Sequence, residues 1–162
     1  MDASKRRFFS AGLSVPGARP PWAVAESLFS ERCDRCDACI RACGPGILKA
    51  GSGGFPVIDF STTGCTLCGD CVQACTRGAL LGDDAGEPFI WRAHIDPACL
   101  TQRGVECRLC AERCEADAIR FRPRLGGIAR PELDTDRCNG CGQCIATCPV
   151  DAITTQSKKE AA

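Results

Sequence analysis

Cys33-Asp34-Arg35-Cys36-Asp37-Ala38-Cys39-Ile40-Arg41-Ala42-Cys43 sets four cysteines at gaps of two, two and three residues. The pattern returns at Cys65, Cys68, Cys71 and Cys75, and again at Cys138, Cys141, Cys144 and Cys148. A fourth group, Cys99, Cys107, Cys110 and Cys114, differs only in a first gap widened to seven residues. The sixteen cysteines therefore divide into four runs with none left over. This spacing is the ligand signature of a cubane iron–sulfur cluster, where each iron takes one thiolate. Three close cysteines hold three corners, and the fourth is turned toward a second cluster. The count predicts four 4Fe–4S clusters.

Two other chemistries use paired cysteines. A disulfide framework suits small secreted proteins, but repeats this close would force strained bridges. Zinc favours two separated C-x2-C pairs, not a run of three plus one. Four recurrences of the run favour iron and sulfide.

The rest of the composition agrees. Glycine is abundant, tyrosine absent and aromatic content 6%, so a chain of 162 residues has little apolar bulk for a core. Small domains of this kind need staples, and here folding and cluster insertion are expected to be one process. The formal net charge is zero. Each oxidised cluster with its four thiolates adds about −2, making the loaded protein acidic by about eight charges. Arg32, Arg35, Arg41, Arg108, Arg113 and Arg137 then read as compensation near clusters. No basic stripe interleaved with aromatics argues for nucleic acid.

Along the chain, each run is followed by a short apolar exit: Gly46-Ile47-Leu48, Gly78-Ala79-Leu80, Asp117-Ala118-Ile119 and Asp151-Ala152-Ile153. The expected unit is a short helix carrying the fourth cysteine, then a strand. Gly51 to Gly54 turn between apolar strands, and Gly126-Gly127 turn between Ile119-Phe121 and Ile128 to Leu133, which predicts two hairpins. The wider step between the second and third runs, with its polar stretch 82–88, predicts a module boundary there. Phe89 to Ile95 reads as a strand placed to pair across that boundary. The organisation expected is an arm at 1–28, one module at 29–82, a second at 89–155 and a tail at 156–162.

Ser4-Lys5-Arg6-Arg7-Phe8-Phe9 has the form of a twin-arginine export motif. Pro16, Gly17, Arg19, Pro20 and Pro21 break the apolar stretch that a cleaved signal needs. The segment reads as a soluble arm, and the chain as a soluble cytoplasmic protein without a membrane span.

These runs resemble bacterial two-cluster ferredoxins used twice, in which the fourth cysteine of each run ligates the other cluster. The resemblance implies an α+β fold of two tandem ferredoxin-like modules with short helices and small antiparallel sheets. It implies cluster one on Cys33, Cys36, Cys39 and Cys75, and cluster two on Cys65, Cys68, Cys71 and Cys43. Cluster three falls to Cys99, Cys107, Cys110 and Cys148, and cluster four to Cys138, Cys141, Cys144 and Cys114. Proline follows the fourth cysteine directly only at Cys148-Pro149; since it merely starts the next turn, no ligand set depends on it.

More of the chain is similar to the NapF family, ferredoxin-type accessory proteins of periplasmic nitrate reductase systems. Lys5-Arg6-Arg7, Arg19-Pro20-Pro21-Trp22, Gly53-Gly54-Phe55-Pro56 and the four runs carry that match. The family implies maturation, in the cytoplasm, of the nitrate reductase catalytic subunit before export, by electron supply or cluster assembly. An electron-relay subunit of another oxidoreductase complex is the alternative, and a purely structural module is the weakest reading. With no catalytic constellation or phosphate loop, the chain reads as an electron carrier or accessory protein and not as an enzyme. Lys5, Arg6, Arg7, Arg19 and Trp22 are the expected partner contacts, with Trp22 also a candidate cap over the first cluster. Cys99 is expected to ligate despite its loop. His94 reads as packing or surface and Trp91 as core.

Overall fold

The four cysteine runs wind through loops that each end in about one turn of helix, and this local unit organises the computed structural model, which describes residues 18–158. A first helix, α1 (Glu26–Arg32), precedes the runs. Helices α2 (Ala38–Ala42), α3 (Asp70–Gln73), α4 (Leu109–Glu112) and α5 (Gln143–Ala146) follow, one in each run. They carry the third cysteine and stop short of the fourth, which corrects the expectation that the helix holds the fourth. The reason is a tightened last turn. The N–H groups of Cys43, Cys75, Cys114 and Cys148 bond back only three residues, to the carbonyls of Ile40, Val72, Ala111 and Ile145. Three residues further on, Gly46, Gly78, Asp117 and Asp151 all take left-handed φ of 50–70° and turn the chain into its apolar exit. This happens with or without proline after the cysteine.

Six short strands complete the fold: β1 (Leu48–Ala50), β2 (Pro56–Ile58), β3 (Trp91–Ile95), β4 (Ile119–Arg124), β5 (Gly127–Leu133) and β6 (Ile153–Ser157). β1 and β2 form an antiparallel hairpin with Leu48 opposite Ile58. β4 and β5 form the second, with Ile119 opposite Leu133. Its turn lies one residue earlier than the glycine pair suggests, because Gly127 already pairs with Arg124. β3 pairs antiparallel with β6, from Trp91 opposite Ser157 to Ile95 opposite Ile153. The strand at Phe89–Ile95 thus closes its own half and does not pair across the boundary. The first half is closed the same way by one bridge, Ala23 with Leu80.

Strand pairing bears on two expected boundaries. Residues 18–28 are built into the first module: the Ala18 carbonyl accepts from Ile58, Val24 donates to Ala79, and Phe29 of α1 is buried beneath β1 and β2. An apolar segment needed to close the small sheet cannot be a free arm. At the other end, Gln156 and Ser157 belong to β6, so the second module runs past 155.

The stretch at 82–88 is tied down as well. Trp22 N–H donates to the Pro88 carbonyl at 2.9 Å. Glu87 binds Arg92 at 2.7 Å and Lys158 at 2.6 Å. Arg92 is buried, and its guanidinium also donates to the carbonyls of Phe89, Trp91 and Thr135, so a charge in the core is both paired and hydrogen-bonded.

The two halves meet at a closely packed seam. Phe60 stands edge-on to Phe89 at 6.3 Å, and Phe89 stacks on Trp91 at 4.7 Å. A Cβ at Gly142 would lie 2.6 Å from the Phe60 ring, and one at Gly64 would lie 2.4 Å from the Gln143 nitrogen. Only glycine lets the backbones approach this far. Among the described residues no helix is long and apolar enough to cross a membrane.

Candidate iron–sulfur centres

Three pockets are each ringed by four cysteines. One is lined by Cys33, Cys36, Cys39 and Cys75, a second by Cys43, Cys65, Cys68 and Cys71, and a third by Cys114, Cys138, Cys141 and Cys144. In every case three thiols come from one run and one from the neighbouring run. The hairpins explain the exchange: each folds its two runs side by side, so the residue past one helix reaches the other loop. α2 lies against α3 and α4 against α5.

The loops wind by a repeated backbone device. In three runs the second cysteine is flanked by left-handed residues, Arg35 and Asp37, Leu67 and Gly69, Gly140 and Gly142. For non-glycine residues this conformation costs about 1–2 kcal/mol. Strain of that kind persists only where the surroundings fix it, and it gathers at functional sites. The third run departs from the device, since Arg108 after Cys107 has φ −136°. Backbone N–H groups also point at sulfur: Leu67 to Cys65 at 3.4 Å, Ala118 to Cys114 and Ala152 to Cys148, both at 3.3 Å.

Burial and mutual proximity act on the thiols together. Cys39 is pushed up to about 11 by burial and then by Cys33 and Cys75. Cys71 is pushed up to about 12 by burial and then by Cys65, Cys39 and Cys43. Burial raises Cys144 and Cys141 as well. Four thiolates cannot share such a pocket without a multivalent cation between them. Soft thiolate donors select soft or iron–sulfur centres. Among the described residues no three Cys, His, Asp or Glu side chains converge on a single ion, and the thiols instead surround pockets. The donor set fits 4Fe–4S clusters.

Cys99 stays with its run. It caps a 3-10 turn at Leu100–Arg103, its sulfur lies 3.3 Å from the Thr101 hydroxyl, and with burial it raises Cys110 to about 11. The widened gap folds into that turn and returns the chain to Cys107.

The other expected residues divide. Lys5, Arg6 and Arg7 lie outside the described residues. Arg19 and Trp22 are not free contacts. Arg19 binds Glu26 and stands over Phe29 and Phe55 at 4.8 and 5.1 Å. Trp22 is buried and lines the pocket of Cys43, Cys65, Cys68 and Cys71, so it covers the second set and not the first. Its place beside the closing bridge, with its backbone carbonyl accepting from Leu81, draws it inward. Trp91 is core, with its indole N–H donating to Gly140 at 3.1 Å, and His94 is exposed on β3.

Sequence reading missed the seam. There the Cys65 N–H donates to the Cys141 carbonyl at 2.7 Å, and the Cys141 thiol helps raise Cys65, which burial chiefly pushes up to about 11. Two pockets from different halves therefore adjoin. The only signal was a glycine before Cys65 and after Cys141, which is too common to read.

A model of the 4Fe-4S dicluster domain matches twice, at residues 32–79 and 104–152. The ferredoxin-type protein NapF of Escherichia coli (strain K12) is 44% identical over 96% of this chain and 96% of its own. The ferredoxin-type protein NapF of Haemophilus influenzae is 46% identical over 89% of this chain and 81% of its own. The methylamine utilization ferredoxin-type protein MauM of Methylobacillus flagellatus is 33% identical over 80% of this chain and 63% of its own.

Proposed function

This chain belongs to the NapF family of ferredoxin-type iron–sulfur proteins, with tandem 4Fe-4S dicluster domains, and from that premise we propose an electron carrier that serves maturation of the periplasmic nitrate reductase catalytic subunit. In this reading it acts in the cytoplasm, before that subunit is exported. Four clusters are held by the sets Cys33, Cys36, Cys39 and Cys75; Cys65, Cys68, Cys71 and Cys43; Cys99, Cys107, Cys110 and Cys148; Cys138, Cys141, Cys144 and Cys114. Three of these sets coincide with the lined pockets, and the remaining set follows from the same exchange between α4 and α5.

A bound 4Fe–4S cluster supplies one-electron chemistry. The chain's own residues do the rest. Cysteines fix position, left-handed residues aim the loops, and the N–H groups of Leu67, Ala118 and Ala152 offset negative charge on sulfur. Apolar exits such as Ile47 and Ala118 keep water from the inner side.

The observation that carries the electron-carrier reading is the seam. Cys65 and Cys141, from two different pockets, are joined by one backbone hydrogen bond of 2.7 Å. Scaffolding or storage gains nothing from bringing two pockets together, whereas an electron path through both modules requires it.

The test is an anaerobic pull-down of the nitrate reductase precursor, with and without its export signal. Transient binding to the cytoplasmic precursor supports maturation. Fixed-stoichiometry copurification with a different oxidoreductase points to the relay alternative, and absence of precursor binding by intact cluster-loaded protein would falsify the maturation reading.

A further inference from the structure

Among the described residues two buried side-chain polar atoms lack a hydrogen-bond partner: the indole nitrogen of Trp22 and the hydroxyl of Thr155. A buried donor left unmade costs about 1–3 kcal/mol, so each calls for an acceptor. Both residues line cysteine pockets. Trp22 lines that of Cys43, Cys65, Cys68 and Cys71, and Thr155 lines that of Cys114, Cys138, Cys141 and Cys144. These are the two pockets joined at the seam.

The fold holds both residues firmly. The Trp22 carbonyl accepts from Leu81 and its N–H donates to Pro88, and Thr155 is paired with Ala93 across β3 and β6. The contrast with Trp91 is informative. That indole is equally buried, yet its N–H has the Gly140 carbonyl as acceptor at 3.1 Å. An unpaired indole is therefore not a general feature of this small core.

We propose that the Trp22 indole N–H and the Thr155 hydroxyl donate hydrogen bonds to sulfur of the clusters in these two pockets and raise the reduction potentials of that inner pair. The inference rests on the ligand sets proposed above. Reduction adds one negative charge to a cluster, so a donor on its sulfur stabilises the reduced form more than the oxidised form. Both donors thus favour an electron residing at the seam, where the modules meet. They are positioning residues for the redox centres and ligate nothing themselves.

The experiment is an EPR-monitored redox titration of the anaerobically purified full chain, with dithionite as reductant. Wild type, Trp22→Phe, Thr155→Val and Thr155→Ser are compared after iron and sulfide assay. Phenylalanine keeps the aromatic packing without the N–H, valine keeps the shape without the hydroxyl, and serine restores it. With full iron, Trp22→Phe and Thr155→Val should each move one component to lower potential, while Thr155→Ser titrates like wild type. Unchanged potentials at full iron overturn the proposal and leave the ligand sets standing. Wild-type protein that binds no clusters sinks the ligand sets first, and the iron assay reads that separately.

Should Trp22→Phe lose iron, a Trp91→Phe chain carrying tryptophan labelled with 15N at the indole decides the point. The sequence has two tryptophans, so the label then reports Trp22 alone. A 15N hyperfine coupling in pulsed EPR of the reduced protein supports the bond, and its absence overturns it.

Discussion

The backbone N–H of Cys65 donates to the carbonyl of Cys141 across 2.7 Å, which ties a proposed ligand of the first module to a proposed ligand of the second. Gly64 and Gly142 flank this bond and leave no room for a side chain. The module boundary at 82–88 is consequently not a free hinge: residues on both sides of it are hydrogen-bonded, and the contact buries the face between Phe60 and Phe89.

Gly64→Ala should open this contact. Its Cβ would meet the Gln143 nitrogen at 2.4 Å and the Cys141 carbonyl at 2.8 Å, and backbone atoms cannot swing aside. A loss of about 1–3 kcal/mol is expected, as for other overpacked sites. Limited proteolysis should cut within 82–88 faster than in wild type while each half keeps its iron.

Serine at Cys43 should damage the site held by Cys65, Cys68 and Cys71, because Cys43 shares their pocket. Serine at Cys75 should damage the site of Cys33, Cys36 and Cys39 for the same reason. Each variant should lose about one cluster of the roughly sixteen-iron total. EPR of the two variants should show different components missing. If Cys43→Ser instead removed the site of its own run, the exchange between runs would be wrong.

Iron retention should depend on pH with a definite sign. Burial first, then neighbouring thiols, raises Cys39 to about 11 and Cys71 to about 12, so the cluster-free pockets hold protonated thiols at neutral pH. Ligation needs thiolates and releases those protons, so loading strengthens as pH rises and weakens as it falls. Transfer of iron to a strong chelator should be faster at about pH 6.5 than at about pH 8.5, near the ordinary cysteine value. Equal rates would argue against proton-coupled ligation.

Truncations should separate the terminal segment from the module. Removing residues 1–17 should leave iron content intact, because the first proposed ligand is Cys33 and the Ala18 carbonyl that accepts from Ile58 is retained. Carrying the deletion through Trp22 removes the buried indole and the segment leading to the Ala23 bridge. That should cost roughly 3–5 kcal/mol, the scale of losing a core aromatic. Thermal unfolding of the two truncations decides this. If Lys5, Arg6 and Arg7 contact the precursor, the shorter truncation should weaken the pull-down without loss of iron.

The cysteine runs were legible because their geometry is local. Gaps of two and three residues set the loop and the short helix, and the αL residues at Gly69 or Asp117 act within one turn of the cysteine they serve. The hairpins were legible for the same reason, since Gly53 and Gly54 lie between the strands they join. Local rules failed at the edges. Arg19-Pro20-Pro21-Trp22 reads as part of a terminal arm, and only the bridge of the next residue, Ala23, with Leu80, far along the chain, shows that this segment closes the first module.

Spacing by itself determined that four runs of four thiols exist and that three of the runs share one close-set loop suited to iron–sulfur ligation, because gaps of two and three residues act within local backbone reach. Tertiary structure decided which thiols share a pocket, which pockets touch, and that Trp22 and Thr155 line them with a buried indole nitrogen and hydroxyl left without a partner. Those outcomes depend on contacts between residues many tens of positions apart, such as Cys65 with Cys141 and Ala93 with Thr155. They are fixed by how the small sheets and the glycine seam pack, and no short stretch of sequence carries that information.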